Sequence, residues 1–319
     1  MHCKNKNQPA YLPSYNLFFQ GKDIKAQKIN SKLAVIASGA VKAPFLFEDI
    51  VLSCAATLPE GAGVLAQISV KTQKGWSGFY KLFYLSAGCK KTFDNVRDDY
   101  AAVDIDALLT QTPATHFKYR LTLLGKAKVS LICAALTQAK YKYNRSLALE
   151  TLGVKDMQLP LKPVPLPNGR ACSPAALTAV LNYWGKKTTL NKTLKGAEDK
   201  NTGLSGVWPL NTAYAAQLGL KACVVKCSSL AQIEAEIYQG RPVITSVAYK
   251  KGQLKNAPVA ATRGRLIAVT GLDKAGNIIA ADSAAKAARA LRVYDRAQFA
   301  RAWIKNKKGI AYAIQNMQE

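Results

Sequence analysis

A proline-rich segment divides this sequence of 319 residues into two parts with different hydrophobic patterns. Four prolines lie in the stretch QLPLKPVPLPNG, which begins at Gln158. Proline fixes φ near about −65° and disfavours the helical conformation of the residue before it, so this stretch is predicted to stay extended. A chain of this length has room for two domains. We therefore predict a two-domain protein, with a linker over residues 141–158 that leads into the proline-rich stretch at the start of the second domain.

The part before the linker has the pattern of an antiparallel β structure. Four runs alternate in polarity or are rich in β-branched and aromatic residues. These runs are VLAQISVKT, GFYKLFYLS, FKYRLTLLG and VSLICAAL. We predict an all-β sandwich over residues 45–140. Residues 1–44 are polar and rich in lysine, and we expect a lead-in that is poorly ordered.

The part after the linker, residues 159–319, has helical segments followed by strands. The helical segments are CSPAALTAVLNYWG, GVWPLNTAYAAQLGL and SSLAQIEAEIYQG, and the strands are PVITSVAY, RLIAVTGLD and IIAADSAA. Ser229 and Gln232 have the spacing of a capping box, and Asp295 is the predicted N-cap of a last helix before a last strand, GIAYAIQ. This order of elements predicts an α+β domain with an antiparallel sheet.

Cys172 stands at the start of the first of these helices. Ser173 is the predicted N-cap, Pro174 suits the first turn, and Gly185 ends the helix. Unpaired N–H groups and the helix dipole at such a position favour a thiolate. The other interpretation is a small buried apolar residue, since free cysteines are often fully buried.

The chain is strongly basic, with 45 Lys and Arg against 19 Asp and Glu and a formal net charge of +26. This charge indicates an anionic partner such as a wall polymer, or simply a solubilising surface, because the lysines are spread along the whole chain. No nucleic-acid-binding motif accompanies them, so we expect no specific nucleic-acid partner. The seven cysteines lack the spacing of a disulfide framework or a metal site, and we expect neither a metal nor a cofactor.

No apolar run has the length of a signal peptide or of the roughly 20 residues that a transmembrane helix needs. As written, the sequence indicates a soluble chain that is not secreted. A start site further upstream with its own signal peptide stays open, so the sequence leaves the localisation unknown.

Six segments of residues 159–319 occur in an order that resembles the bacteriocin-processing-like cysteine peptidases, family 39 of the papain-like clan (peptidase C39-like). They are CSPAALTAVLNYWG, GVWPLNTAYAAQLGL, SLAQIEAEIYQGRPVITSV, LKNAPV, GRLIAVTGLDKAGNIIAADSAA and VYDRAQFARAW. The upstream words FEDIVLSCAATLPEGAG, GWSGFYKL, VDIDALL and FKYRLTL are similar to the β-sandwich that precedes this domain in many secreted bacterial members. The resemblance implies a papain-like α+β fold and a bacterial protein that is secreted or associated with the envelope.

The resemblance also implies a site with a cysteine nucleophile, a histidine base and an acidic residue. Cys172 matches the nucleophile and Asp282 the acidic residue, but the Gly-His-Leu of the family stands here as Gly264-Arg265-Leu266. The glutamine that serves the family as an oxyanion donor is also absent, and Asn168 is its candidate substitute at an approximate spacing. The two histidines of the chain, His2 and His116, lie in the lead-in and in a predicted sandwich strand.

Arginine cannot exchange protons with a thiol, because its guanidinium stays charged up to a pKa above about 12. We therefore predict that Arg265 and Asp282 form an ion pair and that the protein has lost catalysis and binds a peptide or protein partner near Cys172. Two alternatives stay open at this point. One is an active cysteine peptidase or acyl transferase with an unusual base, and the other is an envelope protein that binds a polyanion.

Overall fold

The computed structural model of the chain describes residues 13–166 and 171–316. Strands and short helices make up most of these ranges. The strands are β1 Ser14–Gln20, β2 Ala26–Lys28, β3 Leu33–Ala37, β4 Val41–Thr57, β5 Gly63–Thr72, β6 Gly75–Trp76, β7 Tyr80–Ser86, β8 Lys90–Thr92, β9 Ala101–Asp104, β10 Ala107–Leu124, β11 Lys128–Gln138, β12 Met157–Gln158, β13 Leu220–Lys226, β14 Val243–Tyr249, β15 Thr262–Leu272, β16 Ile278–Ala281, β17 Leu291–Tyr294 and β18 Ile310–Asn316. The helices are α1 Arg145–Ala148, α2 Cys172–Tyr183, α3 Leu190–Ala197, α4 Trp208–Gln217, α5 Leu230–Tyr238 and α6 Arg296–Ala300, which continues as a π-helix over Arg301–Lys305.

The N-terminal half is all-β and antiparallel, as the sequence predicts, but within the described residues its 11 strands belong to one continuous sheet. The prediction of a two-sheet sandwich over 45–140 differs from this arrangement. β4 and β10 have 17 and 18 residues and carry bulges, so different parts of β10 pair with β3, β4, β5 and β9. A bulge bends a strand and increases its twist. The long strands can therefore pair with neighbours on different sides of a single apolar core.

The expectation that residues 1–44 are a poorly ordered lead-in is wrong for residues 14–37. β1 pairs along its whole length with β11, from Ser14 opposite Thr137 to Gln20 opposite Leu131, and β3 pairs with β10. Leu17 and Phe19 pack against the core of the sheet, so this short apolar run holds β1 to the edge despite its polar surroundings. Residues 1–12 lie outside the described residues.

β4 and β11 are buried on both faces. In β4, Ile50 and Leu52 point into the core of the first sheet, whereas Val51 packs with residues of the C-terminal half. In β11, Ile132 likewise faces the first core and Cys133 the C-terminal half. The continuous apolar runs in these strands, which are unusual for an antiparallel sheet with a solvated face, follow from this double burial.

The C-terminal half has an antiparallel sheet of seven strands in the order β13-β18-β14-β15-β16-β17, with β12 paired to β15. Side chains of β15 alternate between two apolar clusters: Leu266 packs with α2 on one face, and Ile267 packs with α5 and α6 on the other. The predicted α+β class agrees with this layering. The predicted order of helices before strands is not strict, since β13 lies between α4 and α5.

The two halves share a buried, mostly apolar contact. Leu210 and Ala213 of α4 belong to the core of the N-terminal sheet. Nearby, Asp49 is buried between Lys226 and Lys308 of the C-terminal half. Burial opposes ionisation of this carboxyl, but the two lysines hold its pKa below its ordinary value. Separately, the Trp208 N–H donates to Asp106 and joins the start of α4 to the β9–β10 turn of the first sheet.

In the ranges 13–166 and 171–316, no helix is both long enough and apolar enough to cross a membrane. The longest helix, α2, has 12 residues.

Candidate active site

α2 begins at Cys172 itself, so the prediction that Ser173 is the N-cap is wrong. Ala171 occupies the N-cap position without a side-chain cap, and the first intrahelical bond runs from the Ala175 N–H to the Ala171 carbonyl (3.0 Å). The Ser173 hydroxyl is engaged elsewhere, since it donates to Asn211 Oδ1 (3.1 Å) and lies 3.0 Å from the Tyr312 hydroxyl. Cys172 is thus the first residue of the helix, where backbone N–H groups have no helical acceptor.

The Cys172 side chain is half-buried and contacts β15. Its Sγ accepts a hydrogen bond from the Leu266 N–H at 3.4 Å. The thiol opens into a cavity of about 220 Å³. The other residues around the cavity are Asp106, Ser173, Pro174, Gly206, Trp208, Ser246, Gly264, Leu266 and Lys307. Cys172 is therefore accessible to a ligand, unlike Cys54, Cys133, Cys223 and Cys227, which are buried.

Arg265 and Asp282 form the ion pair that the sequence predicts. The Arg265 guanidinium donates to Asp282 Oδ1, and the side chains are nearly inaccessible, with 6% and 1% of the residue surface exposed. The Tyr294 hydroxyl donates to Asp282 Oδ2 (2.8 Å), and the Ala284 N–H donates to Oδ1 (3.1 Å). Burial and the adjacent carboxylate raise the pKa of Tyr294 well above its ordinary value, which keeps its hydroxyl protonated as a donor.

The guanidinium lies on the opposite face of the C-terminal sheet from the thiol. Leu266, whose N–H contacts Cys172, packs with α2. Arg265 is opposite Val247 in the strand register, and Val247 belongs to the cluster on the other face, together with Tyr294. The structure therefore brings Arg265 and Asp282 together but does not place Arg265 among the residues around the cavity of Cys172.

Of the remaining candidates from the sequence, His116 is the one that lies in the described residues, and it does not line this cavity. Asn168, the possible oxyanion donor, and His2 lie outside the described residues, so the role of Asn168 stays a prediction. His116 lies in β10 of the first sheet, where its Nδ1 is 2.9 Å from the Thr115 hydroxyl and its ring is 6.4 Å from that of Trp76.

Asp106 is a site residue that the sequence reasoning missed. It lies in the turn between β9 and β10, and its Oδ1 accepts the N–H of Trp208, the first residue of α4, at 2.5 Å. Burial raises the pKa of Asp106 to about 7, although the Trp208 N–H acts in the opposite direction. Because this contact joins residues 102 positions apart, no local signal in VDIDALL could have revealed it.

Lys307 adds a cation to the same cavity. Its Nζ lies 5.4 Å from the centre of the Trp208 ring, and burial lowers its pKa. No group of three or more His, Cys, Asp or Glu side chains suited to a metal ion occurs in the described part of the chain. The chemistry available in the cavity is thus that of a thiol, a carboxyl and an amine.

Residues 155–311 match the profile of the Peptidase_C39 like family. The chain therefore carries a C39-like peptidase family domain, and this family prediction is confirmed. No curated protein sequence matches the chain.

Solved structures of low identity are also similar to this region. The peptidase domain of Streptococcus ComA, a bi-functional ABC transporter involved in a quorum-sensing pathway, is 18% identical over 49% of this chain and 99% of its own, with a TM-score of 0.36. A double glycine motif protease from an AMS/PCAT transporter, solved with its leader peptide, is 14% identical over 51% and 97%, with a TM-score of 0.36. A putative C39-like peptidase from Bacillus anthracis is 13% identical over 51% and 98%, with a TM-score of 0.38.

Proposed function

We propose that the C39-like domain binds a peptide or a protein partner at the cavity of Cys172 and does not hydrolyse it by a cysteine–histidine–acid mechanism. The observation that carries this proposal is the ion pair of Arg265 with Asp282, since the resemblance matches Arg265 to the family's histidine. The proposal includes the roles of Cys172 at the nucleophile position, Asp282 at the acidic position and Asn168 as a possible donor to the ligand.

Hydrolysis of a peptide bond needs a group that takes the proton of the thiol and then protonates the leaving amine. The guanidinium of Arg265 can do neither at any physiological pH. General acid–base catalysis contributes typically about 10²- to 10⁴-fold, and one oxyanion donor a further 10²- to 10³-fold, roughly. Without the histidine, amide hydrolysis by the cysteine–histidine–acid mechanism is too slow to be the function of the site.

The cavity has features that suit part of an extended ligand. Its volume of about 220 Å³ is below the range of roughly 300–1,000 Å³ typical of sites for whole small molecules. Trp208 offers an apolar surface, and Ser246 and Lys307 offer polar contacts at the rim. A short segment of a polypeptide fits these dimensions, with the rest of the ligand lying outside.

The test combines hydrolysis with binding. The wild-type protein is incubated with a random decapeptide library at pH 7.5, and products are followed by mass spectrometry, with Cys172→Ala as the control. We expect no cleavage by either protein, and we expect members of the library to be retained by immobilised wild-type protein but not by a Trp208→Ala variant. Cleavage that disappears in Cys172→Ala would refute the proposal, and so would retention that Trp208→Ala leaves unchanged.

Arg265→His is the matched variant, because the resemblance implies a histidine at this position. Residue 265 faces away from the thiol, so we expect Arg265→His to gain no hydrolysis. Any hydrolysis that it acquires is expected to disappear in the double variant with Cys172→Ala. Hydrolysis that persists in the double variant would show a contaminating peptidase.

A second candidate function, binding of an anionic wall polymer, is supported by the charge of +26 and by one surface of the N-terminal sheet. There, Lys118 Nζ lies 4.2 Å from the centre of the Trp76 ring, and Lys71 and Lys140 line a separate cavity of about 760 Å³. Retention on an anionic polymer should fall steeply as salt rises. Retention that is absent, or that salt does not affect, would end this candidate.

A further inference from the structure

The cavity of Cys172 contains a carboxyl group that comes from the N-terminal half of the chain. One oxygen of Asp106 accepts the Trp208 N–H, and its other oxygen makes no hydrogen bond within residues 13–166 and 171–316. Asp106 and Cys172 both line this cavity, which is not reached by the guanidinium of Arg265. A proton acceptor is therefore present in the same cavity as the thiol, although it lies outside the family's motif.

We propose that Asp106 accepts the proton of Cys172 through cavity water, so that thioesters and similarly activated acyl donors can acylate this thiol. This activity goes beyond peptide binding and does not require amide hydrolysis. It also gives the β9–β10 turn a chemical role in addition to its contact with α4.

The geometry supports a proton path through water. A cavity of about 220 Å³ has room for water, since a cavity needs roughly 10–15 Å³ to hold one molecule. Asp106 and Cys172 both line this cavity. Burial raises the pKa of the Tyr312 hydroxyl, which is bonded to Ser173, and Asp106 and Cys172 act in the same direction. The Leu266 N–H bonded to Cys172 Sγ stabilises the negative charge that develops on sulfur when the proton leaves.

The charges around Asp106 suit a base that works near neutral pH. Burial raises the pKa of its carboxyl to about 7, with Asp104 and Asp199 acting in the same direction and Lys307 and the Trp208 N–H in the other. A general base is most effective when its pKa lies near the working pH. Above about pH 7, Asp106 is ionised and can take the proton of the thiol.

The reaction balances without any further co-reactant. The thiol proton moves to Asp106, Sγ forms a bond to the acyl carbon, and the bond from that carbon to the sulfur of the donor breaks. The departing thiolate then takes the proton from Asp106. A thiol titrates near about 8.5 and can leave as the thiolate, whereas an amine must be protonated as the C–N bond breaks, so thioesters are the easier acyl donors.

The experiment measures acylation and alkylation of the full chain. Phenyl thioacetate is the acyl donor, and intact-mass and peptide-mapping mass spectrometry detect one acetyl group on Cys172. We expect the adduct in the wild-type protein and none at this position in Cys172→Ser. Absence of an adduct from folded wild-type protein would overturn the proposal.

Asp106→Asn separates the proton-accepting role from the structural one, because the amide oxygen of asparagine can still accept the Trp208 N–H. We expect acetylation at pH 7.5 to slow roughly 10- to 100-fold in this variant. The rate of iodoacetamide alkylation of Cys172 should rise near pH 7 in the wild type, and that rise should be lost in Asp106→Asn. Cys89, which is partly exposed and does not line the cavity, serves as the internal control in the same peptide maps.

Two results keep the inference falsifiable if Asp106→Asn is unstable. Asp106→Glu, which keeps the carboxyl, should retain part of the rate of Cys172 acetylation. Lys307→Met should move the rise in alkylation rate to higher pH, because Lys307 lowers the pKa of Asp106. Unchanged rates and pH profiles in all three folded variants would overturn the proposal. Acylation without peptide binding would remove only the proposed function, whereas peptide binding without acylation would remove only this inference.

Discussion

Replacing Asp282 with alanine is expected to destabilise the protein by about 3–5 kcal/mol, because the change leaves the guanidinium of Arg265 buried without its counter-ion. Arg265 is only 6% exposed, so water cannot replace the lost carboxylate. The variant also removes the acceptor of the Tyr294 hydroxyl, which is itself buried. The expected loss is a large part of the roughly 5–15 kcal/mol that stabilises a typical domain.

The reverse change, Arg265→Met, should cost less. Asp282 would keep the bonds from the Tyr294 hydroxyl and the Ala284 N–H, so its charge would remain partly compensated. We expect a loss of about 2–3 kcal/mol, the cost of a buried charged group that is incompletely satisfied. The double variant Arg265→Met/Asp282→Leu replaces the whole pair with apolar groups and should be more stable than Asp282→Ala alone.

Urea unfolding followed by tryptophan fluorescence measures these differences, with the slope m compared between variants to check that the transition is unchanged. The double-mutant cycle isolates the coupling between the two side chains. A loss below about 1 kcal/mol for Asp282→Ala would refute the reasoning, since values of that size are typical of exposed pairs.

Three further outcomes follow from the structure. Asp49 has a lowered pKa in the folded state, so its contribution to stability is present above its unfolded pKa of about 3.9 and is lost as the pH falls through its folded pKa. Asp49→Asn should therefore make the urea midpoint less sensitive to acid. Gly309→Ala should destabilise the protein by more than about 2 kcal/mol, because φ is +69° and a Cβ would collide with the Cys227 carbonyl. Gly252→Ala, at a φ of +78° with open space around it, should cost only about 1 kcal/mol in the same thermal or urea unfolding assay. Asp106→Ala should cost about 1 kcal/mol more than Asp106→Asn in the same unfolding assay, because only alanine removes the acceptor for the first N–H of α4; equal losses would contradict the capping role.

Local signals in the sequence predict much of the C-terminal half. The capping box of Ser229 and Gln232 starts α5, and the Asp295 carboxylate accepts the Gln298 N–H (2.9 Å) at the start of α6. Such caps join residues three positions apart, so the pattern of the sequence contains the whole interaction. The strand β15 is also predictable, because its apolar run between turn residues is long.

Features that depend on contacts between distant parts of the chain are not predictable in this way. β1 is held by its pairing with β11, more than 100 residues later, and its polar flanks suggest an arm instead. The Ser173 hydroxyl has the residue type of an N-cap, but Asn211 and Tyr312 compete successfully for it. In each case the residue type fits two environments, and tertiary packing decides between them.

The candidate site also depends on contacts that the sequence does not predict. By resemblance, Cys172, Arg265 and Asp282 are assigned to the nucleophile, base and acidic positions of a family motif. The sequence does not show in which direction each of these side chains points. In the strand β15, neighbouring residues face opposite sides of the sheet, so an arginine at 265 can be accommodated by a polar environment that the thiol does not share. Asp282 and Tyr294 provide that environment, and they account for the burial of a charged arginine there. They do not account for the half-exposed Cys172 thiol on the other face. This thiol accepts the Leu266 N–H and shares its cavity with Asp106 of the N-terminal half. The ion pair and the thiol therefore need separate tests, and the variants at Cys172, Asp106 and Lys307 address the thiol.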